Sequence, residues 1–102
     1  MTPLRRRRRA SNVNDARQLS PAQERALDLI SYLTVNLVEH PDDVRVDLVQ
    51  DGDREVLRVH LHADDQGQFI GKNGQTARAI RTLLMAFSAR AGQHFALEVV
   101  DD

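Results

Sequence analysis

Two glycines bracket two polar residues in the segment Gly71-Lys72-Asn73-Gly74. Because glycine has no Cβ, the backbone of such a segment can pass close to a ligand. If a helix begins directly after Gly74, its unpaired amide N–H groups and the positive end of its dipole favour an anion. Lys72, the only lysine of the chain, adds an ammonium group. The segment therefore predicts a site for phosphate groups, such as those of a sugar–phosphate backbone.

Two arginines follow this segment at helical spacing. Arg78 lies one turn beyond Gly74, and Arg81 extends the positive edge by three residues. Arginines on an amphipathic helix are by default a solvated face. However, the chain has no Asp or Glu between Gln66 and Leu97. This acid-free stretch favours contact of both arginines with phosphate.

A helix and a hairpin are predicted before the segment. Ser20-Pro21-Ala22-Gln23 combines a capping Ser, a Pro at the first helical position and a Gln three residues after the cap. The apolar spacing predicts a helix from about Pro21 to Glu39, ended by Pro41. Alternating residues from Val44, the turn dipeptide Asp51-Gly52 and a second alternating run at about 54–62 predict an antiparallel pair. The predicted inward residues are Ala26, Leu29, Ile30, Leu33 and Leu37 on the helix, and Leu57, Val59 and Leu61 on the second strand.

Two helices and a strand complete the predicted fold. A short helix begins at Asp64-Asp65 and leads into the glycine segment, and a longer one runs from Gln75 to Gly92. The predicted inward stripe of the longer helix consists of Ala77, Ile80, Leu84, Phe87 and Ala91. A third strand spans about 93–100. Its connection from the second strand passes through two helices, so these strands can pair in parallel with all helices on one face. The order α-β-β-α-α-β predicts an α+β fold of two layers.

The segment from Gly67 to Ile80, GQFIGKNGQTARAI, resembles the signature of a KH domain with its G-x-x-G loop. The resemblance covers nearly all of residues 21–102, and it is strongest to the small single-domain KH proteins of the KhpA family. It implies the bacterial, type II KH fold, in which helices cover one face of a three-stranded mixed sheet.

The resemblance also implies a function and its residues. In this family the loop clamps about four nucleotides of single-stranded RNA by the backbone, while bases rest on an apolar floor. The family is implied to be a non-enzymatic RNA chaperone or post-transcriptional regulator that dimerises or pairs with a larger KhpB/Jag-type RNA-binding protein, with links to cell-wall and cell-shape control. The expected RNA-binding residues are the clamp Gly71, Lys72, Asn73 and Gly74, the floor residue Ile70, and the phosphate-contacting Arg78 and Arg81.

Charge divides the chain into two parts. The 102 residues carry a net charge of −1, but residues 1–19 contain six Arg and one Asp, whereas residues 20–102 contain eight basic and fourteen acidic side chains. Runs of like charge are typical of solvated tails. We therefore predict a disordered Arg-rich tail over 1–19 and one KH domain over 20–102. Whether Arg5 to Arg9 serve solubility, bind RNA without specificity or dock on an acidic neighbour stays open.

Several chemistries are not expected. Without cysteine there is no disulfide and no thiolate metal site. His60 and His62 share one face of a predicted strand, but no third ligand accompanies them at fixed spacing, so we interpret them as exposed polar residues. The Asp residues fall in turns and at a helix start, where Asp caps backbone N–H groups. We expect no enzyme activity, metal or cofactor, and, because no apolar segment follows the N-terminal charges, a cytoplasmic protein.

A second interpretation belongs to another functional class. The acidic domain and the single lysine favour a KH fold that serves mainly for dimerisation or protein interaction. In that case the RNA contact would be supplied by a partner. The dependence of RNA binding on salt separates the two interpretations.

Overall fold

A computed structural model describes residues 8–10, 19–70 and 74–100. The helices are α1 (Pro21–Val35), α2 (Ala63–Ile70) and α3 (Gln75–Ala91), and the strands are β1 (Arg8–Ala10), β2 (Arg45–Asp51), β3 (Arg54–His60) and β4 (Phe95–Val100). A single 3-10 turn, Pro41–Asp43, joins α1 to β2. The predicted α+β class and the order of the six predicted elements are confirmed.

Helix α1 begins as predicted and ends earlier than predicted. The Gln23 backbone N–H donates to Ser20 Oγ (3.1 Å), and the Ser20 N–H donates back to Gln23 Oε1 (2.8 Å), which forms a capping box. The helix ends at Val35 and not at Glu39. After Asn36 the chain turns, and the amides of Glu39 and His40 donate to the Asp65 carboxylate on α2 instead of continuing the helix.

The sheet has the strand order β1-β2-β3-β4. Strands β2 and β3 pair antiparallel around Gly52, whose φ of 64° suits glycine in a tight turn. Strands β3 and β4 pair in parallel, with Leu57 opposite Leu97. The predicted crossover through two helices and the three-stranded mixed sheet, as in a type II KH fold, are confirmed for β2, β3 and β4.

The fourth strand, β1, corrects the prediction for the N-terminal segment. Arg8–Ala10, which we assigned to a disordered tail, pairs in parallel with β2, with Arg9 opposite Asp47. Pairing at a sheet edge uses backbone N–H and C=O groups and needs no side-chain pattern. A run of arginines therefore gives no sequence signal for it. The rest of the predicted tail, apart from Leu19, lies outside the described residues.

The core lies between the helices and one face of the sheet. On α3 the predicted inward residues Ala77, Ile80 and Leu84 are buried, and Phe87 packs partly against them. Leu57 and Val59 on β3, and Leu61 directly after it, are buried as predicted. Leu37 is a correction, because it follows the end of α1 and is 52% exposed. The buried apolar cluster consists of Ala26, Leu27, Ile30, Val44, Val46, Leu48, Leu57, Val59, Leu61, Phe69, Ala77, Ile80, Leu84, Phe95 and Leu97.

The opposite face of the sheet carries a buried polar pair. His60 and Asp47 are only 8% and 6% exposed, and His60 Nε2 lies 2.8 Å from Asp47 Oδ2. A guanidinium nitrogen of Arg45 lies 3.2 Å from His60 Nδ1. Since guanidinium only donates, Nδ1 accepts and Nε2 carries the hydrogen that binds Asp47. The interpretation of His60 as an exposed polar residue was therefore wrong, because cross-strand neighbours on β2 bind both ring nitrogens.

Candidate functional site

The junction between α2 and α3 is the candidate site. Helix α2 ends at Ile70 and α3 begins at Gln75. Gly71, Lys72 and Asn73 lie outside the described residues. Gly74 is the N-cap of α3 with φ 65° and ψ 30°, a left-handed conformation that strains residues with a side chain. Helix α3 thus begins directly after Gly74, as predicted.

The first turns of α3 suit an anion. The first turn contains no acidic residue, and no side chain hydrogen-bonds to the amides from the N-cap position. The N–H groups of the first turn have no acceptor within a helix, and together with the helix dipole they favour an anion at this end. Arg78 and Arg81 are exposed on the turns that follow. Each adds a cationic group on the same helix.

Arg81 has neighbours from distant parts of the sequence. It lines a shallow cavity beside β4 together with Arg54, Met85 and His94. Arg54 also forms a salt bridge of 3.1 Å with Asp51 in the hairpin turn. Arg81 therefore lies beside residues of β3 and the start of β4, and only the tertiary fold brings them together.

An apolar groove runs beside the start of α3. Leu33 and Leu37 from the end of α1 face Thr76, Ala79 and Leu83 on α3 across this groove. Leu83 is 49% exposed and Leu37 is 52% exposed. Gln75, directly after Gly74, also lines the groove, so an apolar surface adjoins the candidate anion site. Leu33 and Leu37 were predicted to lie on the inward stripe of α1, so no sequence pattern indicated this groove.

Asp65 holds α2 against the end of α1. Its side chain is 1% exposed and accepts the backbone N–H groups of Glu39 (3.1 Å) and His40 (2.9 Å). His40 Nδ1 lies 3.1 Å from the same carboxylate. Burial raises the pKa of Asp65, but the hydrogen bonds and the charge of His40 outweigh this effect and leave the pKa below its ordinary value. The ionised carboxylate therefore fixes the start of the helix that leads into the site.

We expect Asp65→Asn to destabilise the fold by about 2 kcal/mol at pH 7, because an amide replaces an ionised acceptor of several hydrogen bonds. The pKa of Asp65 is lower in the folded state than its ordinary value of 3.8, so its ionisation stabilises the fold at pH above 3.8. This stabilisation is lost as the pH falls through the pKa of the folded state. Urea unfolding at pH 7 and at pH 3 measures both effects. The difference between variant and wild type should shrink in acid.

The matched control for this prediction is Asp53→Asn, at an exposed position in the hairpin turn. Surface substitutions of this kind change stability by no more than about 0.5 kcal/mol. If both variants unfolded alike, or if the difference for Asp65→Asn stayed constant with pH, the stabilising role of the carboxylate would be contradicted.

A family profile described as the KH domain of KhpA and KhpB matches residues 27–99. The chain belongs to the KhpA/KhpB KH-domain family. Within this family it is similar to proteins named "RNA-binding protein KhpA" from three bacteria. It is 37% identical to that of Halalkalibacterium halodurans over 73 residues, which cover 72% of this chain and 96% of the relative.

Two further KhpA relatives match over a similar length of the chain. The protein of Bacillus subtilis is 39% identical over 74 residues, which cover 72% of this chain and 91% of the relative. The protein of Mycobacterium tuberculosis H37Rv is 40% identical over 75 residues, which cover 74% of this chain and 90% of the relative. No solved structure matches significantly. Among the described residues, no helix has the length and apolar character needed to span a bilayer.

Proposed function

We propose that this chain is a non-enzymatic RNA-binding protein that holds single-stranded RNA at the junction of α2 and α3. The observation that carries the proposal is the start of α3, where a left-handed Gly74 precedes an acid-free first turn and two exposed arginines follow. The KhpA relatives, which are named RNA-binding proteins, support the same function. In the proposal Gly71, Lys72, Asn73 and Gly74 form the backbone clamp.

We infer the roles of the remaining RNA-binding residues from their positions on α2 and α3. Arg78 contacts phosphates of the clamped nucleotides, Arg81 extends this contact along α3, and Ile70, the last residue of α2, contributes to the apolar floor. The groove between α1 and α3 extends that floor, since bases unstacked from a single strand bury apolar surface. Sequence preference would then arise from base contacts in the groove, because phosphate contacts carry no sequence information.

The finer biological role is part of the proposal. We infer that the protein acts in the cytoplasm as an RNA chaperone or post-transcriptional regulator, either as a homodimer or with a larger KhpB-type RNA-binding protein. A link to cell-wall and cell-shape control follows from the same resemblance. Membership in a family that joins KhpA and KhpB supports these inferences.

The salt dependence of RNA binding tests the proposal. Three neutralised phosphates on a single strand give a slope of about −2 for log affinity against log salt. Arg78→Gln should reduce the magnitude of this slope by about 0.7, the value for one phosphate contact. Fluorescence titration of a short single-stranded RNA at several salt concentrations measures both quantities. A chain that lacks residues 1–19 separates any contribution of the Arg-rich segment.

Arg90→Gln is the matched control, because Arg90 is exposed in the last turn of α3, at the opposite end from Gly74. Its slope should equal that of the wild type. An equal loss in both arginine variants would indicate general attraction to charge and would contradict a localised site.

The second candidate function is a dimerisation or protein-interaction module. The exposed leucines of the groove between α1 and α3 favour it, because contiguous apolar surface on a small domain marks an interaction site. The acidic balance of residues 20–102 also weakens attraction to RNA. A salt slope near zero, or no RNA binding by the isolated protein, would favour this function over the first.

A further inference from the structure

Two histidines and an aspartate meet where α1, β3 and α2 come together. His40 follows α1, His62 follows β3, and Asp64 lies in the first turn of α2. One ligand atom from each of the three lies within 4.8 Å of the others. The two imidazole rings are stacked, with centroids 3.9 Å apart and planes 11° from parallel. This cluster lies outside the RNA site proposed above.

The buried carboxylate of Asp65 orients the first histidine. Asp65 Oδ2 lies 3.1 Å from His40 Nδ1 and accepts its hydrogen. The lone pair of His40 is therefore on Nε2. A carboxylate that binds the second ring nitrogen in this way is the usual neighbour of a metal-ligating histidine, because it fixes the tautomer and the ring orientation. Since Asp65 also binds two backbone amides, its own position is fixed.

The second histidine and the aspartate adjoin each other. His62 Nδ1 accepts the backbone N–H of Asp64 at 3.0 Å, so its lone pair points toward the first turn of α2. The same nitrogen lies 3.8 Å from Asp64 Oδ2. A cation at this point would replace the amide as the partner of Nδ1 and would contact the carboxylate as well.

We propose that His40, His62 and Asp64 bind one divalent transition-metal ion, of which Zn²⁺ is the natural probe. Imidazole and carboxylate are common zinc ligands at about 2.0 to 2.2 Å, and a tetrahedral ion holds such donors about 3.3 to 3.5 Å apart. The side chains of His40, His62 and Asp64 are 39%, 35% and 76% exposed, which leaves them free to close by the remaining ångström or so. Water completes the fourth position.

Metal binding requires the two rings to leave their stacked arrangement. A bound ion lies in the plane of each imidazole that ligates it. Two stacked rings whose planes are only 11° from parallel have no point near both rings that lies in both planes. The rings must therefore tilt toward each other when the ion binds. This movement supplies a spectroscopic signature, because ring-current shifts of His40 and His62 change together.

Titration of the full chain with ZnCl₂ at pH 7, without RNA, tests the site. We expect one ion per chain by calorimetry and joint changes in the ring-proton NMR signals of His40 and His62. His62→Ala should weaken binding at least tenfold, and so should Asp64→Asn, which preserves the shape of the side chain. His94→Ala, an exposed histidine outside the cluster, should bind as the wild type does. MgCl₂, which prefers oxygen ligands alone, should not compete.

Three outcomes would overturn the proposal: no zinc binding at millimolar concentration, unchanged binding in His62→Ala, or equal displacement by Mg²⁺. Circular dichroism of each variant shows whether the fold persists. Because RNA is absent from the titration, its result is independent of the RNA-binding function.

Discussion

Replacement of Lys72 and Asn73 by Asp is expected to weaken binding of a short single-stranded RNA by one to two orders of magnitude. The double variant removes the only lysine and places two carboxylates where the proposed clamp meets phosphate. A charge-assisted hydrogen bond contributes about 1.5 to 3 kcal/mol, so loss of one such contact already accounts for at least tenfold. Fluorescence titration at one salt concentration measures the change, and circular dichroism checks that the domain remains folded.

A control variant with the same change in charge is available at the far end of α3. Ala89→Asp with Arg90→Asp also changes the net charge by −3, and both positions are exposed. Over the 17 residues of α3, a rise of about 1.5 Å per residue separates the two ends by about 25 Å. This control should lose little affinity. If the loop variant bound RNA as the wild type does, the site would have to be sought in the N-terminal segment or in a partner protein.

Phe69→Ala is expected to cost about 3 to 5 kcal/mol of folding free energy. Phe69 is 2% exposed in the core and lies on α2, two residues before Gly71. Its loss leaves a cavity beneath the helix that leads into the proposed clamp. For a domain of this size the expected fall in Tm is more than about 12 °C. Thermal and urea unfolding measure the loss.

Met85→Ala provides the comparison, because it also removes a large apolar side chain but from a position on α3 that is 66% exposed. A change of no more than about 0.5 kcal/mol is expected there. Equal destabilisation by the two variants would show that the core does not extend beneath α2 as the structure has it.

Most of the fold could be predicted from local patterns. The capping box at Ser20, the turn at Gly52 and the apolar stripe of α3 each depend on residues close in sequence, and each is present in the structure. The parallel pairing of β3 with β4 followed from the two helices between them. The end of α1 was misjudged, because the carboxylate that receives the amides after the helix is 25 residues away on α2.

The candidate site could also be predicted only in part from the sequence. The glycine segment and the two arginines after it were found from type and spacing, and α3 begins directly after Gly74 as predicted. The assignment of residues 71–73 to an RNA clamp stays a prediction. The groove between α1 and α3 had no sequence signal, because Leu33 and Leu37 continue the inward stripe of α1 when the end of that helix is unknown.

By itself the sequence determined the class of fold, the order of its elements and the position of the glycine segment, because these depend on periodicity and turn chemistry within a few residues. Only the tertiary structure decided which distant polar groups meet: Asp47 with His60, Asp65 with the end of α1, and His40 with His62. The pairing of β1 with β2 was likewise decided only by the tertiary structure. Such contacts join backbone or side-chain groups from separate elements, and no spacing along the chain specifies them.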